Sequence, residues 1–432
     1  MKAKDTQAKA SNAADRDNKG NRVDNIDRVN RVSKVLNVSI DSHTRHPKHG
    51  WEVKKLGEVC VIQGGSTPKR TERLYWEDGT YPWFTIEDIR NQGRIITDTK
   101  QKITKIAWDK LRVFPKDTIL LCCTASIGEY AITHIPLTTN QQFNGLMIKD
   151  KSYLSPMYLM HFCATLKEKL SALSGKAIID FVSAEKIRQI PIPIPGIEEQ
   201  ERIVRELDCL SGVIEKKREQ LKQLDALAQS IFYDMFGDPI NSKYETKKLA
   251  DLSEHKLSYG SGASAVDFNG KIRYVRITDI KDDGELHDEK VSPSIIDDKY
   301  ILKDGDILFA RSGATVGKTY LYRSKEGKSI YAGYLIRFIP NRNIVLPAYI
   351  YAYTKTSYYK AFISVSAQAV AQPNINAQQY SSLIVPIPPL SLQEQFAEKI
   401  EAIEKQKELL KRSIKEVETL FDARMDYYFG DT

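Results

Sequence analysis

The chain has 432 residues, a formal net charge of +8 and 41% hydrophobic residues, so it can build more than one buried core. We expect no membrane span, because no apolar run approaches roughly 18 residues, and no secretory signal is expected at the start of the sequence. The cysteines contain no Cys-x-x-Cys pair, which argues against a disulfide framework or a cysteine-bound metal. These features favour a protein of the reducing cytoplasm.

Charge alternates along the chain. Residues 51–190 (module 1) and 239–385 (module 2) each hold 20 Lys and Arg against 15 Asp and Glu. Residues 191–238 carry −4 and residues 386–432 carry −3. Basic modules suit a polyanion, whereas acidic segments suit protein partners or solvent.

The first 50 residues contain no aromatic side chain and are rich in Asn, Asp, Lys and Ser. This composition predicts a mostly disordered polar tail. Its three histidines lie where no fold would hold them together, so no metal site is expected.

Two stretches, 191–238 and 386–432, predict long helices that pair as an antiparallel coiled coil. Each follows a Pro-Ile-Pro run, and their apolar residues alternate at steps of four and three. The first seam comprises Ile203, Leu207, Leu210, Ile214, Leu221, Leu224, Ala228, Ile231 and Met235. The second comprises Phe396, Ile400, Ile403, Leu410, Ile414, Val417 and Phe421. The ends of a compact module lie close together, so the two helices should run in opposite directions.

The whole pattern occurs twice. Glu198-Glu199-Gln200 matches Gln393-Glu394-Gln395, and both helices end at Phe-Gly-Asp, where glycine suits a helix stop. Within the modules, Trp83 to Ile89 matches Tyr274 to Ile280, and each stretch reads as a strand. Gly128 and Gly317 are expected in turns with positive φ. The sequence therefore predicts an α+β chain with an internal repeat, in the order module, helix, module, helix.

This order resembles the specificity subunit of type I restriction–modification systems, over everything after the tail. The resemblance is carried by the Lys-Leu-Gly/Ala openings, the Gly-Ser-Thr-Pro loop, Asn140-Gln141-Gln142, the Pro-Ile-Pro runs and the Glu-Gln helices ending in Phe-Gly-Asp. It implies that each module is a target-recognition domain reading half of a split double-stranded DNA site. The second module departs from the pattern, with Ser329-Ile330-Tyr331 where the first has Asn140-Gln141-Gln142.

The resemblance also implies partners. The paired helices would set the spacing of the half-sites and dock two methyltransferase subunits, and through them translocase-nuclease subunits. The chain itself would be non-catalytic and bind no cofactor. S-adenosylmethionine, ATP and Mg²⁺ would belong to the partners. No Asn/Asp-Pro-Pro-aromatic tetrad of an amino-methyltransferase occurs in the chain.

Candidate DNA contacts lie in the small-residue loops and around the basic strands, since Arg and Gln read base edges while Lys and Ser hold phosphate. In module 1 they are Gly65, Ser66, Thr67, Lys69, Arg70, Arg73, Gln141 and Gln142. In module 2 they are Ser261, Ser264, Lys271, Arg273, Arg276, Arg311 and Ser312. The alternative interpretation of each residue is an ordinary solvated position that makes no DNA contact.

Candidate partner contacts lie on the acidic helices: Glu199, Gln200, Glu201, Glu215, Glu394, Gln395, Glu398 and Glu408. Two other classes of protein stay open at this point. One is an enzyme, a duplicated nuclease or methyltransferase. The other is a coiled-coil scaffold that binds no nucleic acid.

A lysine interrupts each seam once, Lys217 in the first helix and Lys407 in the second. A polar residue at a seam position can fix the register of a coiled coil at a cost in stability. In an antiparallel pair the two lysines could lie close together, with Glu215, Glu219, Glu404 and Glu408 available to neutralise them.

Overall fold

The computed structural model describes residues 50–173, 181–367 and 373–430, so the predicted disordered tail, apart from Gly50, lies outside the described residues. The chain forms two compact units. Of the described residues, those up to 216 and those from 413 to 430 form the first unit, and those between 217 and 412 form the second. Each unit therefore combines one module with parts of both long helices.

Module 1 is a mixed α/β body. Its strands are β1 (Glu52–Lys55), β2 (Cys60–Gly64), β3 (Tyr81–Phe84), β4 (Ile95–Ile96), β5 (Gln101–Ile103), β6 (Ile119–Cys122), β7 (Tyr130–Thr133), β8 (Thr138–Thr139), β9 (Phe143–Ile148) and β10 (Pro191–Ile194). Its helices are α1 (Leu56–Val59), α2 (Ile86–Gln92), α3 (Lys105–Trp108), α4 (Pro156–Ala164), α5 (Leu166–Leu173) and α6 (Ala184–Arg188).

The main sheet of module 1 has the strand order β2-β9-β6-β7-β4, and a smaller sheet has the order β5-β3-β8. Strand β6 is buried on both faces because its alternate residues enter two different cores. Ile119 and Leu121 pack with the helices, whereas Leu120 packs with Phe84 and Phe143 on the other side.

Module 2 repeats this plan with shorter strands. After helix α7 (Ile197–Phe236) come β11 (Thr246–Lys248), β12 (Ser258–Tyr259), β13 (Ala265–Asp267), β14 (Arg273–Val275), β15 (Val291–Pro293), β16 (Ile307–Ala310), β17 (Thr319–Leu321), β18 (Ser329–Tyr331), β19 (Leu335–Phe338) and β20 (Ile384–Pro386). The helices are α8 (Pro347–Tyr353), α9 (Ser357–Ala367), α10 (Ala377–Ser381) and the terminal α11 (Leu390–Phe429). The main sheet has the order β12-β19-β16-β17, with β16 again buried between two cores.

Each module is closed by a two-stranded clasp. Strand β1 pairs antiparallel with β10, and β11 pairs antiparallel with β20. The chain therefore enters and leaves each module at one place, as expected for a compact insertion.

The long helices run antiparallel where they pair within each unit. In the first unit, Arg424 of α11 pairs with Glu206 of α7. In the second, Lys407 of α11 pairs with Asp225 of α7, and Phe396 packs on Phe232 at 5.8 Å between ring centroids. The predicted antiparallel pairing is confirmed. Within the described residues, no helix is both long and apolar enough to cross a membrane.

Along α7, the predicted seam positions progressively differ from the positions that are buried. Ile203, Leu207, Leu210 and Ile214 are buried, but further along α7 the buried residues are Phe232 and Phe236. The seam prediction there was Ile231 and Met235, one residue too early. A strict seven-residue repeat falls about 20° per heptad behind a straight helix, which amounts to nearly one residue after four heptads.

The stretches from Trp83 and from Tyr274 are strands only in their first residues, so the prediction of full strands was wrong. The chain turns into α2 after Phe84 and into a 3₁₀ helix, Ile277–Asp279, after Val275. An aspartate in the first turn of each helix explains this. Its carboxylate accepts the backbone N–H of the residue three positions earlier and so caps the helix. Asp88 accepts from Thr85 N–H at 2.7 Å, and Asp279 accepts from Arg276 N–H at 2.9 Å.

Two glycine predictions are confirmed. Gly128 and Gly317 both have φ of +84°, and each faces a helix of its own module, so a side chain there would be strained by backbone and neighbour alike. Gly237, after α7, has φ of +78°, in keeping with a glycine helix stop.

Candidate nucleic-acid interface

The glycine loop of each module lies against the segment that precedes a central strand. In module 1, Gly65 N–H donates to Phe143 O at 3.0 Å and Ser66 N–H donates to Thr139 O at 2.8 Å. A Cβ on Gly65 would stand 2.3 Å from Thr139 O, so only glycine fits. The loop and the Asn140 segment thus lie side by side, which brings together the candidate residues Thr67 and Gln141.

Module 2 repeats this contact with a different partner from the predicted one. Gly260 N–H donates to Leu335 O at 3.2 Å and Ser261 N–H donates to Tyr331 O at 2.8 Å. The counterpart of Asn140-Gln141-Gln142 is therefore Ala332-Gly333-Tyr334, three residues beyond Ser329-Ile330-Tyr331. The modules still differ here, so the predicted departure stands with a corrected register.

The module 1 surface carries amide and aromatic groups beside a cation. The Thr67 hydroxyl donates to Gln141 Oε1, and Gln142 Oε1 accepts from Asn140 Nδ2 at 3.1 Å. The guanidinium of Arg70 lies 4.0 Å from the ring of Trp76 and donates to Gln101 Oε1 at 3.0 Å. Stacking on an aromatic face leaves the charge of an arginine accessible while fixing its plane.

Two further module 1 candidates lie nearby on exposed positions. Lys69 is exposed, and its carbonyl accepts from the indole N–H of Trp76 at 3.1 Å. Arg73 is exposed and pairs with Glu77 at 3.4 Å. Contacts therefore join Thr67 to Gln141 and Arg70 to Gln101, and Gly65 admits the close backbone contact with the Asn140 segment.

Three module 2 candidates use their side chains in hydrogen bonds within the module. Ser261 is only 6% exposed, and its hydroxyl accepts from Ala263 N–H at 3.1 Å, so a surface role is wrong for it. Arg273 donates to the carbonyl oxygen of His287 at 2.5 Å. Arg276 is held on Asp279 at 2.7 Å, and this hydrogen bond raises the pKa of the guanidinium. The structure thus corrects the expectation that these two arginines are free to contact DNA.

Arg311 sits at the end of β16 in a different setting. Its guanidinium lies 4.8 Å from the ring of Tyr259, and its Nε donates to Asn374 Oδ1 at 3.3 Å. Its backbone N–H donates to Tyr334 O at 3.1 Å, and Tyr334 is 62% exposed. Ser312 follows it, half-buried, while Ser264 and Lys271 lie exposed elsewhere on the module.

Sequence reasoning missed Tyr259, Tyr334 and Asn374 as site residues. Tyr259 directly precedes the matched glycine of the loop, and Tyr334 occupies the position of Gln142, so a correct alignment of the repeat would have indicated both. By contrast, Tyr349, Tyr353 and Tyr359 are buried in the core of module 2, so their rings are not available to stack on bases.

The acidic helix surface is partly as predicted. Glu215, Glu394, Gln395 and Glu398 are exposed. Glu199 pairs with Arg202 at 2.7 Å, Glu201 pairs with Arg205 at 3.6 Å, and Glu408 pairs with Lys325 of module 2. Gln200 is fully buried, so its prediction as a partner contact is wrong.

The seam lysines do not face each other. Lys407 Nζ lies 2.7 Å from Asp225 Oδ1 and 3.0 Å from Glu404 Oε1. Asp225 is eight residues beyond Lys217, about 12 Å along the helix. Burial alone would lower the pKa of Lys407, but these carboxylates outweigh it and raise the pKa. The acids that neutralise Lys407 are therefore Asp225 and Glu404, and Glu404 is the only one of these two that was predicted.

Comparison with known proteins defines the class to which this architecture belongs. The family model of the type I restriction modification DNA specificity domain matches twice, over residues 48–225 and 241–419. The chain therefore belongs to this family and carries two copies of its domain.

Individual relatives agree with the family match. The chain is 33% identical over 250 residues to the type I restriction enzyme MjaIX specificity subunit of Methanocaldococcus jannaschii. This alignment covers 52% of this chain and 57% of that protein. It is 24% identical over 383 residues to the StySPI specificity subunit of Salmonella potsdam, covering 82% of each. The crystal structure of the type I S subunit from M. genitalium shares the fold, with a TM-score of 0.54 and 13% identity over 91% of this chain and 98% of that one.

Proposed function

We propose that the chain is the DNA-reading subunit of a type I restriction–modification complex and is not itself an enzyme. Module 1 reads one half of a bipartite double-stranded site, and module 2 reads the other. The long helices hold the two readings at a fixed spacing.

One observation carries the proposal. Both modules build the same loop contact around Gly65 and Gly260, yet the side chains beside that contact differ. Module 1 offers Gln141 and Gln142 there, and module 2 offers Gly333 and Tyr334. Two modules that read different short sequences need the same backbone contact with different side chains beside it, because base edges are distinguished by their donors and acceptors.

The exposed acids of the helices dock two methyltransferase subunits, and through these the translocase-nuclease subunits. S-adenosylmethionine, ATP and Mg²⁺ bind to those partners. The work of this chain is then to place the partners on DNA, and its basic modules supply sequence-independent attraction to phosphate.

Exchange of residues 244–385 for those of a relative tests the proposal. The methylated positions in the host genome should change in one half of the recognised sequence and keep the other half and the spacing. A change in both halves would refute separate reading.

Two assays separate the other classes of protein. The purified chain should show no methyl transfer or cleavage by itself, in contrast to a duplicated enzyme. It should bind DNA with an affinity that falls steeply as salt rises, in contrast to a scaffold that binds no nucleic acid.

A further inference from the structure

We propose that Arg311 reads a guanine in the half-site of module 2, an inference that rests on the proposed function. It assigns a base to one residue and makes the two half-sites chemically different at equivalent positions.

Within the described residues, Arg311 differs from the other arginines of its module in having no fixed acceptor for the end of its guanidinium. Among the described residues, carboxylates pair with Arg276, Arg323, Arg337 and Arg342. Arg273 donates instead to the carbonyls of His287 and Glu289. Arg311 Nε uses Asn374, while Nη1 and Nη2 make no hydrogen bond within the part of the chain that the structure describes.

The guanidinium is nevertheless held in place. Its backbone is fixed on both sides, because Arg311 N–H donates to Tyr334 O and Ile375 N–H donates to Arg311 O at 2.8 Å. The ring of Tyr259 lies under it, and the Tyr259 hydroxyl accepts from Ala377 N–H at 3.0 Å. A cation fixed in this way loses little further freedom when it binds, which favours recognition of one geometry.

The chemistry of the free end points to guanine. An arginine presents only donors, and the major-groove edge of guanine presents two acceptors, O6 and N7, at the spacing of the two terminal nitrogens. Tyr259 and Tyr334 are 41% and 62% exposed beside it, so the surroundings offer aromatic faces to a base and its sugar. A contact made only to phosphate needs charge but not this fixed orientation.

Module 1 has a different residue at this position. Cys123 N–H donates to Gln142 O at 2.8 Å and Cys123 O accepts from Val182 N–H at 2.9 Å, which repeats the backbone contacts of Arg311. Cys123 is fully buried. The guanine contact therefore belongs to module 2 alone.

The test uses the chain with its methyltransferase partner, after the methylated sequence of the natural protein has been mapped. Binding is measured on the cognate duplex and on duplexes in which each G·C pair of the module 2 half-site is replaced in turn. The natural protein should discriminate one of these pairs by roughly 5- to 150-fold. The R311K and R311A variants should both lose that discrimination and keep their preference in the module 1 half-site.

R342K is the matched control, because Arg342 is an exposed arginine of the same module whose guanidinium lies on Asp304. It should keep the full discrimination. A contact with phosphate would overturn the inference: R311A would weaken all duplexes equally, and R311K would restore them. Unchanged discrimination in R311K would also overturn it while leaving the proposed function standing. If the natural complex binds no DNA, the proposed function itself fails.

Discussion

Gln200 and Gln393 occupy the same position in the two halves of the chain, where each fully buried carboxamide ties a module to the start of its long helix. Gln200 Oε1 accepts from Ser155 N–H at 2.8 Å, and its Nε2 donates to the carbonyls of Tyr153 and Pro195. Gln393 Oε1 accepts from Leu346 N–H at 2.8 Å, and its Nε2 donates to the carbonyls of Ile344 and Pro388. The equivalent of Gln200 is therefore Gln393, two residues before the predicted Gln395.

We expect Gln200→Ala and Gln393→Ala each to lower the free energy of unfolding by about 1–3 kcal/mol, because buried backbone groups lose their partners. Gln395→Ala is the control, since Gln395 is exposed and should change stability by less than about 0.5 kcal/mol. Thermal unfolding, monitored by limited proteolysis, would measure the difference in stability between these variants. Equal stability of the Gln393 and Gln395 variants would contradict the assignment.

These glutamines show what sequence reasoning could reach. The repeat, the paired helices and the helix stops follow from residue spacing, which local physics dictates. The register of the repeat did not follow, because Glu-Gln pairs occur in both helices and identical letters were matched. Burial distinguishes Gln393 from Gln395, and burial depends on the module packed against the helix, which the spacing of residues in the helix does not contain.

The candidate site shows the same limit. Arg70, Arg276 and Arg311 look alike in the sequence as basic residues near strands. Arg70 is stacked on tryptophan, Arg276 is paired with Asp279, and Arg311 uses only its Nε for a hydrogen bond to the residues that the structure describes. Asp279 is a local partner of Arg276, whereas the neighbours Gln101 of Arg70 and Asn374 of Arg311 are distant in the chain and could not be read from the sequence around each arginine.

Lys407→Leu should destabilise the protein, whereas Lys217→Leu should not. Removing Lys407 leaves the half-buried Glu404 with Arg323 as its remaining cation, at 3.4 Å. Loss of one member of a buried ion pair is destabilising, by as much as 3–5 kcal/mol when burial is complete. Replacing the half-buried Lys217 adds apolar surface to the seam. Thermal unfolding of both variants would check this, and a more stable Lys407→Leu protein would contradict it.

The effect of Lys407→Leu should depend on pH. Burial raises the pKa of Glu404, but Lys407 and Arg323 outweigh it and hold that pKa below its ordinary 4.5. A depressed carboxyl pKa stabilises the fold above pH 4.5 and loses its effect as pH falls through the folded value. The stability gap between natural and variant protein should therefore shrink from pH 6 to pH 3. In a Glu404→Gln background this part of the pH dependence should vanish.

Charge reversal on the helices should weaken partner binding without unfolding the modules. Glu215→Lys and Glu398→Lys alter exposed carboxylates, so they suit a co-purification assay with the methyltransferase. Glu408→Lys is the informative contrast, because it also breaks the pair with Lys325 inside the second unit. Unchanged co-purification of the Glu215 and Glu398 double variant would count against these acids as the docking surface.

Gly65→Ala and Gly260→Ala should each disturb DNA recognition by their own module. An added Cβ at Gly260 would stand 2.3 Å from Ala332 O, which forces the loop away from the segment beneath it. Gly262→Ala is the control, because a Cβ there would meet no atom within 4 Å. Mapping of methylated sites should show one half-site relaxed for each of the first two variants, and the natural sequence retained for the third.

The clasps β1–β10 and β11–β20 affect how gene segments that encode whole modules can be exchanged. Because both ends of a module leave through one pair of adjacent strands, a gene segment cut at the two strands encodes one complete module. In the second clasp Thr246 lies opposite Pro386 and Lys248 lies opposite Ile384, and the pairing uses backbone groups, although Pro386 has no N–H to donate. Recombination between related genes at these two points can therefore exchange a whole module, provided that the new module keeps the contacts made with the long helices, such as those of Gln393. A cell that carries several such genes holds a supply of interchangeable readers.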